Sequence, residues 1–220
     1  MLEFYVLNPK PSTLNYMYNL PYFKAKDQQQ VLDFMHQNPF IILTGCNADQ
    51  KPVATHVPVL IKEREGNLFL QGHIMRNTDH EKAFETNPNV LALFNGPHTY
   101  VSASWYTNPQ EGSTWNYLTV HAKGLLSFQP EEFLRQLLGE LTAHFENNEA
   151  SPALYEHLPE EYVNKLSKAI VGFEIAVTDI DNVFKLSQNR DEKSYEQIIS
   201  QLSKGDDEAQ KISQLMNQNK

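Results

Sequence analysis

Phe94-Asn95-Gly96-Pro97-His98-Thr99-Tyr100-Val101-Ser102-Ala103-Ser104-Trp105-Tyr106 is followed, after a polar interval, by Thr114-Trp115-Asn116-Tyr117-Leu118-Thr119-Val120-His121-Ala122-Lys123-Gly124. Both tryptophans of the 220-residue chain lie in these two runs, with three tyrosines and two histidines. The period is two throughout. Val101, Ala103 and Trp105 share one face of an extended segment, and Tyr100, Ser102, Ser104 and Tyr106 share the other. In the second run Trp115, Tyr117, Thr119, His121 and Lys123 oppose Asn116, Leu118, Val120 and Ala122. Such a strand pair either packs on both faces or packs on one and lines a cleft for a flat polar ligand with the other.

Outward from this pair, the chain reads as short strands with a few helices. Asp27 caps a helix over 28–37, and Pro39 follows it. Strands are expected over 40–46, 52–61 and 67–73, the last two joined by a charged hairpin turn at Gly66. Thr78 and Glu81 have capping-box spacing for a helix that Asn87-Pro88 ends, and a strand over 90–95 comes next. Residues 130–146 and 160–167 read as helices. Alternation returns over 169–177, Asp179-Ile180-Asp181-Asn182 reads as a turn, and the tail from 191 carries helix-spaced apolar residues. Seven or eight short strands with hairpin-length connections predict a mainly β (α+β) antiparallel barrel with peripheral helices. The expected organisation is an extension over 1–16, a barrel domain over 17–190 and a helical tail over 191–220.

A net charge of −9 argues against a broad nucleic-acid footprint. Cys46 is the single cysteine, so no internal disulfide can form, and its apolar surroundings favour packing over catalysis. No basic flank with an apolar run opens the sequence, and no stretch is long and apolar enough to span a bilayer, so a soluble cytoplasmic protein is expected. Gly-rich phosphate loops, zincin motifs, cysteine pairs and nucleophile elbows are absent. His56, His73, His98 and His121 fall on predicted strands, where hydrogen-bonded histidines at a pocket edge are favoured over a metal site. Glu174 on an apolar strand is either a buried acid or solvent-facing. Arg76 and Asn77 precede the helix capped by Thr78, where a guanidinium, helix N–H groups and the positive dipole end suit a phosphate monoester. A phosphorylated planar aromatic ligand would satisfy both this corner and the aromatic strand pair.

The run 94–106 resembles the signature of the PaiB-type family of FMN-binding negative transcriptional regulators. Ala54-Thr55-His56-Val57-Pro58, Gly72-His73, Thr114-Trp115-Asn116-Tyr117 with Val120-His121, Ile170-Val171-Gly172-Phe173-Glu174-Ile175 and Phe184-Lys185-Leu186-Ser187-Gln188-Asn189-Arg190 match the same family in order. The resemblance implies an FMN-binding split barrel, normally a homodimer with flavin in clefts at the subunit interface. By matching positions it places Thr55, His56 and His73 along the flavin and Arg76, with Asn77 or Thr78, at its phosphate. Trp105, Tyr106, Trp115 and Asn116 would build the cleft, and Lys185, Ser187, Gln188 and Arg190 would close it. No catalytic acid or base is singled out, and no metal is implied. Three functions follow as expectations. One is a flavin reductase or small flavin-dependent oxidoreductase using NAD(P)H or another electron donor. The second is a flavin-sensing negative regulator without turnover, although acidity and the lack of a helix-turn-helix argue against direct DNA contact. The third is a haem-binding split barrel. The chain departs from the family in three places. Met17-Tyr18 follows sixteen additional residues, Asn77-Thr78-Asp79-His80 stands where Ala-Asn-Pro and an aromatic are usual, and Ala103 replaces a proline.

Overall fold

The seven strands of the sheet run in the order β2-β1-β5-β6-β7-β4-β3 in the computed structural model, which describes residues 20–219. The extension expected over 1–16 lies outside these residues. β1 (Phe40–Cys46) pairs antiparallel with β2 (Pro52–Pro58) and β5 (Asn89–Val101). β4 (Asn67–Met75) pairs antiparallel with β3 (Leu60–Arg64) and β7 (Ile170–Lys185), and β6 (Thr114–Phe128) completes the order.

The two strands at opposite ends of this order, β2 and β3, are separated in the chain by Val59 alone. One residue spans less than 4 Å of extended chain, so the sheet has to roll until its ends meet. Gly72 marks the seam. A Cβ added there would stand 3.0 Å from the Pro58 carbonyl oxygen and 2.7 Å from Cζ of the buried Phe173. The expected barrel is therefore present as an antiparallel sheet curled into a half-barrel with helices around it. The expected strand over 52–61 is two strands, because the backbone breaks after Pro58, where Val59 N–H turns to the Pro39 carbonyl at 2.9 Å.

Two compact units divide the chain. One comprises Pro39–Phe94 and His121–Ile180, the other 20–38, Asn95–Val120 and 181–219. In the first unit α2 (Asp79–Thr86) lays Phe84 over Gly45, where an added Cβ would stand 2.8 Å from the Phe84 ring. α3 (Glu131–Glu146) buries Leu137 and Leu141 against Leu60, and α4 (Glu160–Ala169) leads into β7. Glu65 and Gly66, both at positive φ, turn β3 into β4, as a tight hairpin requires. In the second unit α1 (Gln28–Gln37) begins at Asp27, whose carboxylate accepts the Gln30 N–H at 2.8 Å. The tail forms α5 (Glu192–Leu202) and α6 (Asp207–Gln218), which bury Ile198, Ile212 and Met216 completely.

Two sequence expectations need correction. Extended structure does not continue to Tyr106: β5 ends at Val101, and Ala103–Trp105 form a 3-10 turn capped by Ser102. Nor does the chain turn at 179–182, because β7 runs unbroken through it. The turn-forming side chains there are all satisfied by tertiary partners: Asp179 by Lys123 at 2.8 Å, Asp181 by Lys24, and Asn182 by the Ala25 N–H at 2.8 Å. Asp181 also accepts the Asn182 N–H at 2.8 Å, yet the tertiary partners hold the segment extended. On β6 the expected alternation holds at its ends, with Asn116, Leu118, Val120 and Ala122 buried and Trp115 and Lys123 exposed, but Thr119 on the opposite face is buried too.

Candidate functional site

The residues singled out by sequence fall into two groups, one in each unit.

In the first unit, β4 ends at Met75 and Arg76 is pinned at once. Its backbone N–H donates to the Ala169 carbonyl at 2.9 Å and its Nε to the Ile170 carbonyl at 3.0 Å. Nη1 lies 3.8 Å from a carboxylate oxygen of Glu81, and the side chain still presents 44% of its surface. Asn77 takes the left-handed conformation at φ +64°, which asparagine tolerates better than other non-glycine residues. Thr78 caps α2: its hydroxyl accepts the Glu81 N–H at 3.3 Å and donates to the Met75 carbonyl at 3.0 Å. The buried Glu81 carboxylate accepts the Asn77 N–H, and Asp79 accepts the N–H of His80 at 2.8 Å. The departure from Ala-Asn-Pro thus preserves the local physics, because Thr78 does the capping of an asparagine and Asp79 favours the first turn electrostatically. It also means that three backbone donors of this corner are held by the protein's own side chains. The group of this corner that stays open to solvent is the Arg76 guanidinium.

His73, on β4 opposite Gly172, has a buried Nδ1 without a hydrogen-bond partner. Burial holds its imidazole below the ordinary histidine range, because the charged form loses its water. Thr55 and His56 lie on the end strand β2, where the exposed His56 ring stacks 6.1 Å from that of Phe40. Glu174, partly buried, is paired with Arg64 at 2.6 Å and accepts from Gln71 at 2.7 Å. No group of three or more His, Cys, Asp or Glu among the described residues is arranged to hold a metal.

In the second unit, Asn116 and Ser187 form a buried pair. Ser187, at φ +63°, donates its hydroxyl to Asn116 Oδ1 at 2.9 Å, and Asn116 Nδ2 reaches Met216 Sδ at 3.5 Å. The tail helix α6 thereby fixes a residue of the strand pair. Lys185 donates to the Thr114 hydroxyl and lies 5.7 Å from the Phe23 ring, and desolvation holds its ammonium below the ordinary lysine range. Gln188 folds back on its own turn, accepting the Leu186 N–H at 2.7 Å. Arg190 stacks its guanidinium 4.0 Å over the buried Tyr106 ring and pairs with Glu111. Trp105 closes the 3-10 turn, and Trp115 stands out on the surface, 6.0 Å from Tyr100 and 6.2 Å from His98 between ring centres. Ala103 gains a donor that a proline would lack, and the Ser113 hydroxyl accepts it at 2.9 Å.

Sequence reasoning missed Glu111, Asp191 and Met216. Glu111 and Met216 leave no local signal. Asp191 does: Asp-x-x-Ser before a helical stripe is a cap, and its carboxylate accepts the Ser194 hydroxyl at 2.6 Å and the Thr107 hydroxyl at 3.0 Å. Those hydrogen bonds, Ser194's first, hold its carboxyl below the usual range.

Residues 17–179 match the family described as "Putative FMN-binding domain", and the chain belongs to that family. Membership assigns FMN as the cofactor. A relative in Bacillus subtilis, named protease synthase and sporulation protein PAI 2, is 33% identical over 201 residues, covering 91% of this chain and 96% of that one. Among solved structures, the flavocytochrome Anf3 of Azotobacter vinelandii aligns with a TM-score of 0.53 at 16% identity over 78% of this chain and 74% of that one. The FAD and heme binding protein of Mycobacterium smegmatis aligns at 0.52 and 15% identity over 73% and 72%. At such identities these two structures speak for fold. The residues present fit the cofactor's chemistry: an anchored, outward guanidinium suits a phosphate, and the unpartnered His73 nitrogen suits a polar ring edge. No helix among the described residues is long and apolar enough to cross a membrane.

Proposed function

We propose that this protein is a dimeric cytoplasmic flavoprotein that uses FMN as a flavin reductase or small flavin-dependent oxidoreductase. The observation that carries the reading is Arg76. Its guanidinium is tethered by the Ile170 carbonyl and Glu81 yet faces outward, so its geometry is set before an anionic ligand arrives. Bound FMN supplies the electron-transfer chemistry, and the protein supplies binding, orientation and electrostatics. In this reading Arg76 holds the phosphate, with Asn77 and Thr78 shaping the corner. His73, kept neutral by burial, exchanges one hydrogen bond with the ring system. Thr55 and His56 line the ring or ribityl chain. In the second unit Trp105 and the exposed Trp115 offer aromatic surface for a planar ligand, Gln188 and Arg190 flank it, and the buried Tyr106, Asn116, Lys185 and Ser187 hold it in place. The exposed Trp115 and Tyr100 rings offer apolar area of the kind a subunit interface covers, which supports a homodimer.

Titration of the purified protein with FMN, followed by quenching of flavin fluorescence, tests the binding. Saturation at one FMN per chain supports the reading, and no saturation into the millimolar range refutes it. NAD(P)H consumption by the FMN-loaded protein then tests the enzymatic half. A second reading is favoured by the relative whose name couples it to sporulation: a flavin-sensing negative regulator without turnover. FMN binding without NAD(P)H consumption, accompanied by an FMN-dependent change in expression of a target gene, would decide for it. A Soret band on haem titration at the expense of FMN binding would decide for a haem protein.

A further inference from the structure

We propose that Arg190, Tyr106 and Glu111 form a latched anion site in the second unit, which takes a phosphate-bearing ligand when Glu111 swings away. Three features converge on it. First, Arg190 is built in: its guanidinium lies on the Tyr106 ring and only 16% of its side chain is exposed. Its backbone is fixed as well, because Arg190 N–H donates to the carbonyl of Ser187 at 3.0 Å. Second, the carboxylate that pairs with it comes from an exposed loop. Residues 107–113 are all exposed; Thr107 and Ser113 anchor the loop at its ends, and between them Glu111 pairs with Arg190. Third, the Tyr106 hydroxyl is buried and has no hydrogen-bond partner in this closed arrangement. Buried hydroxyls are nearly always satisfied, so an orphan on the ring that carries the guanidinium is a donor available to a ligand of Arg190. The neighbouring Asp191 carboxylate does not fill that role, because it is engaged by the Ser194 and Thr107 hydroxyls.

Glu111 is thus an internal occupant, an oxyanion of the right charge supplied by the chain. A tethered carboxylate competes at the high effective concentration of an intramolecular group. A free carboxylate of the same charge gains little by displacing it. A phosphomonoester, with nearly two charges and three strong acceptors, can win both the Arg190 fork and the Tyr106 hydroxyl. The proposal does not rest on the Arg76 assignment: a phosphate held here belongs to a separate phosphorylated ligand or, in place of the Arg76 corner, to FMN.

The test titrates inorganic phosphate into wild-type protein, Glu111→Gln and Arg190→Gln at constant ionic strength, following tryptophan fluorescence, for which Trp105 is the adjacent reporter. Glu111→Gln alters one exposed loop residue and is expected to tighten phosphate binding about fivefold or more, whereas Arg190→Gln abolishes the binding that survives Arg76→Ala. Arg190→Lys, which keeps the charge, should retain weak binding and serves if the glutamine variant does not fold. Unchanged phosphate affinity in Glu111→Gln, or undiminished affinity in a folded Arg190 variant, overturns the proposal. FMN and riboflavin titrations separate the sources. If Glu111→Gln tightens FMN but not riboflavin, the flavin's phosphate sits here and the Arg76 assignment falls. If phosphate binds equally well to protein saturated with riboflavin and with FMN, it takes a second ligand.

Discussion

Replacing Arg76 by alanine should weaken FMN binding by about 1.5–3 kcal/mol, the scale of a charge-assisted hydrogen bond. At about 1.4 kcal/mol per decade, this raises Kd roughly 10- to 150-fold. The structure sets the lower end as the better expectation, because Glu81 already draws on the same guanidinium and the side chain is partly solvated. It also separates binding from folding. What the fold loses is one hydrogen bond to the Ile170 carbonyl and an exposed ion pair at 3.8 Å, together worth about 1 kcal/mol. For a chain of this size that is a fall of roughly 2–4 °C in Tm. Fluorescence titration gives Kd and a melting curve without flavin gives the control. Arg76→Lys should fall between wild type and alanine, keeping charge but losing the fork. An alanine variant that melts normally and binds FMN as wild type does would remove Arg76 from the phosphate site.

Gly72→Ala should destabilise the fold by about 1–3 kcal/mol in urea, because the new methyl meets Phe173 and the Pro58 carbonyl. An unchanged urea midpoint would mean that the sheet ends do not approach at this seam. Asn116→Ala should cost about 1–3 kcal/mol, because it strands the Ser187 hydroxyl in a buried position, and equal stability would deny that pair a structural role. His73 gives a pH dependence. Its folded pKa is depressed below the ordinary value of 6.5, so the unfolded chain binds more protons between the folded pKa and 6.5, and stability rises with pH across that window. Between pH 7.5 and 5.5 the wild type should lose more stability than His73→Gln, and parallel losses would show that burial of this imidazole is not what the protonation opposes.

Local chemistry was legible where a short segment contains its own partners. Asp27 and Thr78 cap the helices expected of them, Glu65-Gly66 turns the hairpin, and the alternation of residues 114–123 buries Asn116, Leu118, Val120 and Ala122 as expected, with Thr119 the exception on the other face. The corner around Arg76 was readable for the same reason, since cap, turn and guanidinium lie within six residues of one another. What the sequence could not display was competition for those groups. Phosphate-ready amides at the start of α2 turn out to be claimed by Glu81 and Asp79, and the turn expected at 179–182 is overridden by Lys123, Lys24 and Ala25. In the second group, Arg190 was visible but its partner was not, because Glu111 precedes it by 79 positions.

By itself, then, the sequence determined the element types, the caps and a family whose cofactor is FMN, because these depend on periodicities and motifs within a few turns of chain. Only the tertiary structure decided that β2 and β3, joined by Val59, close the strand order into a half-barrel, that α6 reaches back to Asn116, and that Arg190 is already paired. Those outcomes turn on which distant groups meet, and that is settled by burial and hydrogen-bond satisfaction across the whole chain, not by any local preference.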